Sequence, residues 1–295
     1  MFYTYVQIAF HILFTVKSPL DCEIRSVRQI GGNGIDRSFY HIVIDHQGQY
    51  SFAPGQYCGI LPPGVSSRTN RRHAPRSYSL APVLNDDGVD GSRCFSLGIR
   101  APIVAPGERE RFRDICICSQ FLSTAGSGTP VQITGPFGKF VLSPEDLNGE
   151  TNLLLIATGT GVVPYMGYLD TLLKSHRLGS KHGKILLVFG VQSPDTYLYR
   201  AALEKYVSEF YGRLQVLVSY SRHGAESERG YVQDMLLKER RLVQSVCGSD
   251  GRSCSIFICG RKSMEKAVLS SLGEVFSQHP DLDCMMSNIK VEVYE

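Results

Sequence analysis

Nowhere in the 295 residues is there a long block of one charge, an apolar run long enough to span a bilayer, or a cysteine pair with metal-binding spacing. Each absence removes a class of protein. Without a single-sign block, and with apolar residues at 43% throughout, intrinsic disorder is excluded. The longest apolar run lies near the start, is interrupted by Gln7 and His11, and falls short of the about 20 residues a membrane helix requires. Lys+Arg 31 against Asp+Glu 28 leaves a net charge of +3, too small an excess for a nucleic-acid module. The nine cysteines are scattered; their one close pair, Cys116 and Cys118, is C-x-C and not C-x-x-C, which argues against a metal centre or a disulfide framework and for reduced thiols. The start also lacks the basic segment and small-residue cleavage site of a secretory peptide. Residues 1–17 therefore read as an apolar strand leading into the first domain, with a signal or anchor remnant as the other reading.

The length suits about two domains, and the pattern changes once. Up to about residue 142, short β-rich runs are punctuated by Gly, Pro and Asn: Cys22–Ile30, Phe39–Ile44, Gln56–Ile60, Ser77–Ala81, Cys94–Ile99, Val131–Thr134 and Lys139–Leu142. Such spacing indicates an antiparallel barrel or sandwich. Beyond the polar stretch Ser143–Glu150, apolar strands alternate with helix-length segments. Leu153–Ala157 precedes Val163–His176, Ile185–Phe189 precedes Thr196–Phe210, Leu214–Tyr220 precedes Tyr231–Val243, and Ser255–Cys259 precedes Ser263–Phe276. Alternating βα units predict a doubly wound parallel sheet. The expected division is a β-barrel domain over 1–147 and a Rossmann-like domain over 148–295.

Five segments carry chemistry. In Ile156-Ala-Thr-Gly-Thr-Gly-Val-Val-Pro164, a strand meets a helix through Thr158, Gly159, Thr160 and Gly161, where glycines admit a pyrophosphate close to the positive helix end. Pro164 suits the first helical turn. The third fingerprint glycine and the ribose-binding acid are absent, so an ordinary structural turn is an equal reading. Ser221 and Arg222, with Arg229 and Tyr231, follow a strand's C-terminal end; an Arg–Ser pair plus a second Arg can hold a 2′-phosphate while Tyr stacks on adenine. In isolation they also fit a solvated basic loop. Arg76, Ser77, Tyr78 and Ser79 could hold a pyrophosphate and present a ring and a hydroxyl to a planar group, or form an edge strand. Cys116, Ile117, Cys118 and Ser119 open a short helix with Ser119 as the expected N-cap. Cys259 and Gly260, with Met264 beyond them, end a strand beside the crevice, although a lone buried Cys is more often core.

Their order along the chain resembles the plant-type ferredoxin–NADP⁺ reductases from about Pro19 to Tyr294. The matching run is PGQ (54–56), RSYS (76–79), CSQFL (118–122), ITGPFGK (133–139), ATGTGVVPY (157–165), SR (221–222), YVQD (231–234), ICG (258–260) and VEVY (291–294). The resemblance implies an FAD-binding antiparallel barrel followed by an NADP(H)-binding domain, with the flavin in the cleft between them. Arg76 would hold the FAD pyrophosphate, Tyr78 one face of the isoalloxazine and Ser79 its reactive edge, with Cys118 and Ser119 contributing phosphate contacts. Gly159, Thr160 and Gly161 would receive the nicotinamide half of NADP(H), and Ser221, Arg222, Arg229 and Tyr231 the 2′-phosphate and adenine. Cys259 would lie beside the nicotinamide, Glu292 would act as a proton relay, and Tyr294 would cover the other flavin face until nicotinamide displaces it.

Several positions depart from the family pattern. Cys116 stands where glycine is usual, and Arg229 replaces Lys. Residues 101–113 offer only Phe112 as an aromatic for the FAD adenine, the family position falling near Val104. Glu295 extends past the usual terminal Tyr, which predicts altered nicotinamide access. The implied partner is an acidic ferredoxin, steered by Arg68, Arg71 and Arg72 beside His73, with Lys17, Arg25 and Arg28 as possible extensions and a solvated loop as the bland reading. The alternating charges of Glu108–Asp114 read as surface. A diflavin-type or flavodoxin-linked reductase is disfavoured by the absence of an FMN domain and by the short Gln56–Arg76 spacing. A non-catalytic FAD/NADP-binding module is disfavoured by the presence together of Ser79, Cys259, Glu292 and Tyr294. By resemblance the protein belongs in a plastid or relict plastid (apicoplast), although no intact transit peptide is visible; the direction of electron flow stays open.

Overall fold

The computed structural model describes residues 13–32, 37–67, 69–102, 116–175, 183–248, 252–277, 286 and 288–294. Positions 1–12, Arg68, Val104, Phe112, Glu108–Asp114 and Glu295 lie outside them.

Six strands close the first half into an antiparallel barrel: β1 (Leu20–Gly31), β2 (Arg37–Asp45), β3 (Tyr57–Leu61), β4 (Arg76–Ala81), β5 (Cys94–Pro102) and β6 (Thr129–Phe137), in the order β1-β2-β5-β4-β3-β6. Closure removes the exposed edges that a six-stranded sheet would otherwise offer. The interior is filled by alternate residues, among them Ile24, Ile42, Ile44, Ile60, Leu97 and Ile133. A helix, α1 (Ile117–Thr124), caps it with Cys118 and Leu122. The N-cap of α1 is Cys116, not Ser119, whose hydroxyl instead donates back to the Cys116 carbonyl at 3.1 Å.

The expected strand Lys139–Leu142 does not form. Its apolar alternation has another cause: Phe140 and Leu142 are buried in the core of the second half, where the Phe140 carbonyl accepts from the Tyr168 hydroxyl at 2.6 Å. A one-turn helix, α2 (Pro144–Leu147), leads into the second half, capped reciprocally by Ser143 and Asp146.

There the parallel strands β7 (Asn152–Thr158), β8 (Ile185–Val191), β9 (Leu214–Tyr220), β10 (Cys254–Arg261) and β11 (Ile289–Tyr294) lie in the order β11-β10-β7-β8-β9. Their continuous hydrophobic runs follow from burial on both faces. On β7, Leu153 and Leu155 face one core with α3 (Val163–Ser175) and α4 (Arg200–Glu209). Leu154 and Ile156 face the other, with α5 (Val232–Lys238), α6 (Arg240–Gly248) and α7 (Lys262–Val275). The segment Tyr231–Val243, expected as one helix, breaks at Glu239. Lys238, Glu239, Arg240 and Arg241 offer no apolar face there, so α5 and α6 each turn their own buried side chains, Leu236 and Val243, onto the sheet. Likewise Thr196–Phe210 is helical only from Arg200.

The two halves meet through polar contacts as well as apolar ones. His41 of β2 bridges the Tyr199 hydroxyl (3.2 Å) and the Asp87 carboxylate (2.9 Å), with the three side chains buried at the junction. Among the described residues no helix is long and apolar enough to cross a membrane.

Candidate active site

At the C-terminal end of β7 the chain leaves through Thr158 into a short turn, Gly159–Val162, before α3 begins with Pro164 in its first turn. Gly159 has φ +55, a left-handed conformation that glycine adopts without strain. Gly161 serves a different need, since a methyl there would overlap the carbonyl of Cys259 on β10. Tyr294, at the end of β11, lies across this turn. Its hydroxyl donates to the Thr158 carbonyl at 2.8 Å and accepts from the Gly161 N–H at 3.1 Å, with Thr160 Oγ1 at 3.1 Å. Burial holds its phenol neutral, with the pKa pushed up to about 12.

One turn away in the sheet, Cys259 and Glu292 are register partners on β10 and β11. Burial, with the neighbouring Glu292 charge adding to it, pushes the Cys259 thiol well above its ordinary range, so it is a neutral packing group and not a thiolate. Ser79 of β4, on the barrel, donates to Glu292 Oε1 at 3.5 Å. Burial raises the Glu292 carboxyl to about 7, partly offset by that hydrogen bond. A carboxyl poised there exchanges protons near neutrality.

On the barrel side, Arg76, Ser77, Tyr78 and Ser79 occupy β4 in sequence. The Arg76 guanidinium donates to the Ala74 carbonyl at 2.9 Å, and no carboxylate among the described residues pairs with it. Tyr78 is half-buried against Cys118, with burial and that neighbour raising its phenol. Cys118 is itself buried in the barrel core, its thiol pushed up to about 11 by burial. Its side chain therefore reaches the site through Tyr78, while Cys116, Ile117 and Ser119 are partly exposed at the helix start. An unneutralised guanidinium, an aromatic face and a hydroxyl aimed at an acid form a donor set that fits a flavin dinucleotide.

A cavity of about 190 Å³ opens between the halves, its walls including Thr158, Gly159, Thr160, Ser221, Tyr231 and Tyr294. Met264 also reaches it, accepting from Thr158 Oγ1 at 2.9 Å, and Gly260 packs beneath. Arg222 and Arg229, next in sequence to the lining residues Ser221 and Gly230, are exposed; Arg229 Nε donates to the Gly224 carbonyl at 3.0 Å and neither forms an ion pair among the described residues. Tyr231 is 61% exposed, a ring face turned to solvent. Exposed cations beside an exposed ring suit a phosphorylated adenosine.

Among the cavity residues that sequence reasoning missed are two arginines. Arg100 of β5 and Arg261 at the end of β10 both line it. Burial, then the neighbouring guanidiniums of Arg37 and Arg261, lower the pKa of Arg100. No carboxylate among the described residues forms a salt bridge with any of the three, so positive charge gathers around Arg100. The available signal was a cation at or near the C-terminal end of a largely apolar strand, in β5 and in β10.

A closed barrel beside a doubly wound sheet, with an acid–hydroxyl pair and a glycine turn facing a shared cleft, defines a two-domain oxidoreductase of the flavin–nicotinamide class. The family model for the oxidoreductase NAD-binding domain matches residues 155–270. The chain is 33% identical over 272 residues to the embryo isozyme of chloroplastic ferredoxin–NADP reductase from Oryza sativa subsp. japonica, spanning 90% of this chain and 71% of that protein. It is also 33% identical over 269 residues to root isozyme 1 of the chloroplastic enzyme from Arabidopsis thaliana, spanning 89% and 70%. Among solved structures, the ferredoxin-NADP+ reductase from Plasmodium falciparum aligns with a TM-score of 0.74 at 25% identity, covering 97% of this chain and 100% of that one. The same Plasmodium falciparum reductase with 2′P-AMP gives 0.73 at 25% identity, covering 96% and 100%. The chain belongs to the ferredoxin–NADP reductase family.

Proposed function

We propose that this chain is an FAD-dependent reductase that exchanges a hydride with NADP(H) and single electrons with ferredoxin, using the residues of the shared cleft. The observation that carries the assignment of roles is the meeting of Ser79 and Glu292 from two domains beside a glycine turn covered by Tyr294. FAD, when bound, supplies the conversion between one hydride and two single electrons.

The protein's part is to bind, orient and manage protons. Arg76 would hold the FAD pyrophosphate, Tyr78 would cover one face of the flavin ring, and Ser79 would hydrogen-bond its reactive edge. The N-terminal turn of α1, Cys116 to Ser119, offers main-chain N–H groups to phosphate. Glu292 takes up or gives a proton at its carboxyl, beside the Ser79 hydroxyl. Cys259 and Gly260 shape the wall against the nicotinamide, and Met264 holds Thr158 in place. Tyr294 must give up its three contacts with the turn before Gly159, Thr160 and Gly161 can receive the nicotinamide half. At the rim, Ser221, Arg222, Arg229 and Tyr231 read the 2′-phosphate and adenine, favouring NADP(H) over NAD(H). Arg100 and Arg261 hold the pyrophosphate between.

Arg71 and Arg72, both exposed and outside any ion pair among the described residues, provide the acidic partner's docking patch beside the flavin strand; Arg68 completes the sequence cluster. Arg25 and Arg28 differ, being neutralised by Asp45 and by Asp86 and Asp87. Residues 1–147 and 148–295 form the two domains, and a plastid-type organelle is the compartment, as the chloroplastic relatives suggest.

Anaerobic titration with NADPH and, separately, NADH tests the reading through flavin absorbance. The expected result is bleaching by NADPH at far lower concentration than by NADH. A bound flavin that responds to neither nucleotide would overturn it and leave a binding module.

A further inference from the structure

The parallel sheet has a second end. At the base of its strands, away from the cleft, Cys247 sits on the last turn of α6 and Cys254 opens β10. Cys247 is buried and Cys254 is partly exposed. They are seven residues apart, and the Cys254 thiol donates to the Cys247 sulfur across 3.1 Å. Among the described residues no other two sulfurs make such a contact.

A disulfide is about 2.04 Å long, so an approach of about 1 Å joins the pair. The adjacent Ser255 hydroxyl is engaged by Asp146 at 2.7 Å, and the Cys254 sulfur's other contact, with the Ser255 carbonyl, is a long 3.9 Å. Its hydrogen bond to Cys247, and then burial, holds the Cys254 thiol well above its ordinary range, so it stays protonated and reacts slowly with oxidants.

We propose that Cys247 and Cys254 are an oxidation-forming pair, which a small hydroperoxide converts into an intramolecular disulfide stapling α6 to β10. The Cys254 sulfur attacks the peroxide as its proton passes to the leaving oxygen; the O–O bond breaks, a sulfenic acid forms and one water leaves. The Cys247 sulfur then attacks Cys254 Sγ, the S–O bond breaks, and a second water carries away the oxygen and the remaining thiol hydrogen. Two thiols are oxidised by two electrons and one hydrogen peroxide is reduced to two waters. The staple lies at the opposite end of β10 from Cys259 and Gly260, so it strengthens the sheet beneath the site without entering it.

Tryptic digestion separates the partners, because cleavage after Arg241, Arg252 and Arg261 places Cys247 in 242–252 and Cys254 in 253–261. The flavin-loaded protein is treated with hydrogen peroxide, its remaining thiols are alkylated in denaturant, and the digest is read by mass spectrometry. The expected product is the two peptides joined, lighter by two hydrogens than their sum and separated by dithiothreitol, with fragmentation placing the bond on Cys254 and not on Cys259. The oxidised protein should melt about 3–8 °C higher, with NADPH-driven dye reduction changed less than about twofold (less than about 0.4 kcal/mol). Recovery of both cysteines alkylated, Cys254 carried to sulfinic acid without a link, or a link through Cys259 would each overturn the proposal. The mass readout uses the native chain, so it stands even if a Cys254→Ser control folds poorly.

Discussion

The two ends of the nucleotide groove are built on different principles. At the inner end, Gly161, Cys259, Glu292 and Ser79 are held by packing: strand register, a carbonyl pressed against a glycine, and one hydrogen bond across the domain junction. At the rim, Arg222, Arg229 and Tyr231 are exposed. The inner end therefore works by position, where small displacements are costly. The rim works by charge, and its effects fall on affinity and grow or shrink with salt.

The sharpest way to break this contrast is Gly161→Ala. Its methyl meets the Cys259 carbonyl, so the turn must move, and NADPH-dependent turnover should fall by about 100-fold or more with flavin content unchanged. Stopped-flow reduction with a flavin absorbance check reads both, and a loss under tenfold would show that the turn tolerates displacement. Next comes Glu292→Gln, expected to lower turnover by about 10- to 100-fold. With a carboxyl pKa of about 7, Glu292 is protonated below that pH and ionised above it. Ferredoxin-driven NADP⁺ reduction consumes a proton, so its rate should decline as pH rises through 7, and the Gln variant should flatten that limb. An unchanged limb would assign it to another group.

At the rim, Arg222→Gln or Arg229→Gln should raise KM for NADPH about 10- to 100-fold. Neither should alter kcat by more than about threefold, and KM for NADH should stay as it is. A fall in kcat instead would erase the distinction between position and charge. The smallest effect is expected farther out. Reversing Arg71 and Arg72 to Glu should weaken ferredoxin-dependent turnover by about tenfold or less and remove much of its salt dependence, leaving reduction of a small dye intact. Salt-insensitive, unchanged turnover with ferredoxin would place docking elsewhere.

Most of the fold was legible because burial writes a period into the chain. The strand Leu214–Tyr220 matches to the residue, and the helix expected from Val163 begins there. The failures share one cause. Lys139–Leu142 alternates like a strand because Phe140 and Leu142 reach into a different core, and Tyr231–Val243 keeps an apolar period across a charged break that only packing on the sheet resolves. A period reports which residues are buried, not against what. Ser119 shows the same limit locally, since a serine one turn from the true cap satisfies the composition rule without the geometry.

By itself the sequence determined the order of elements, the turn at Gly159–Gly161 and the family, since each rests on neighbours along the chain or on motifs in register. Only the tertiary structure decided that Ser79 meets Glu292 across a separation of 213 residues, that Arg100 and Arg261 share one cavity, and that two unremarkable cysteines touch. Those contacts join residues distant in the chain or set on separate elements, and their positions follow from how barrel, sheet and helices pack rather than from any local preference.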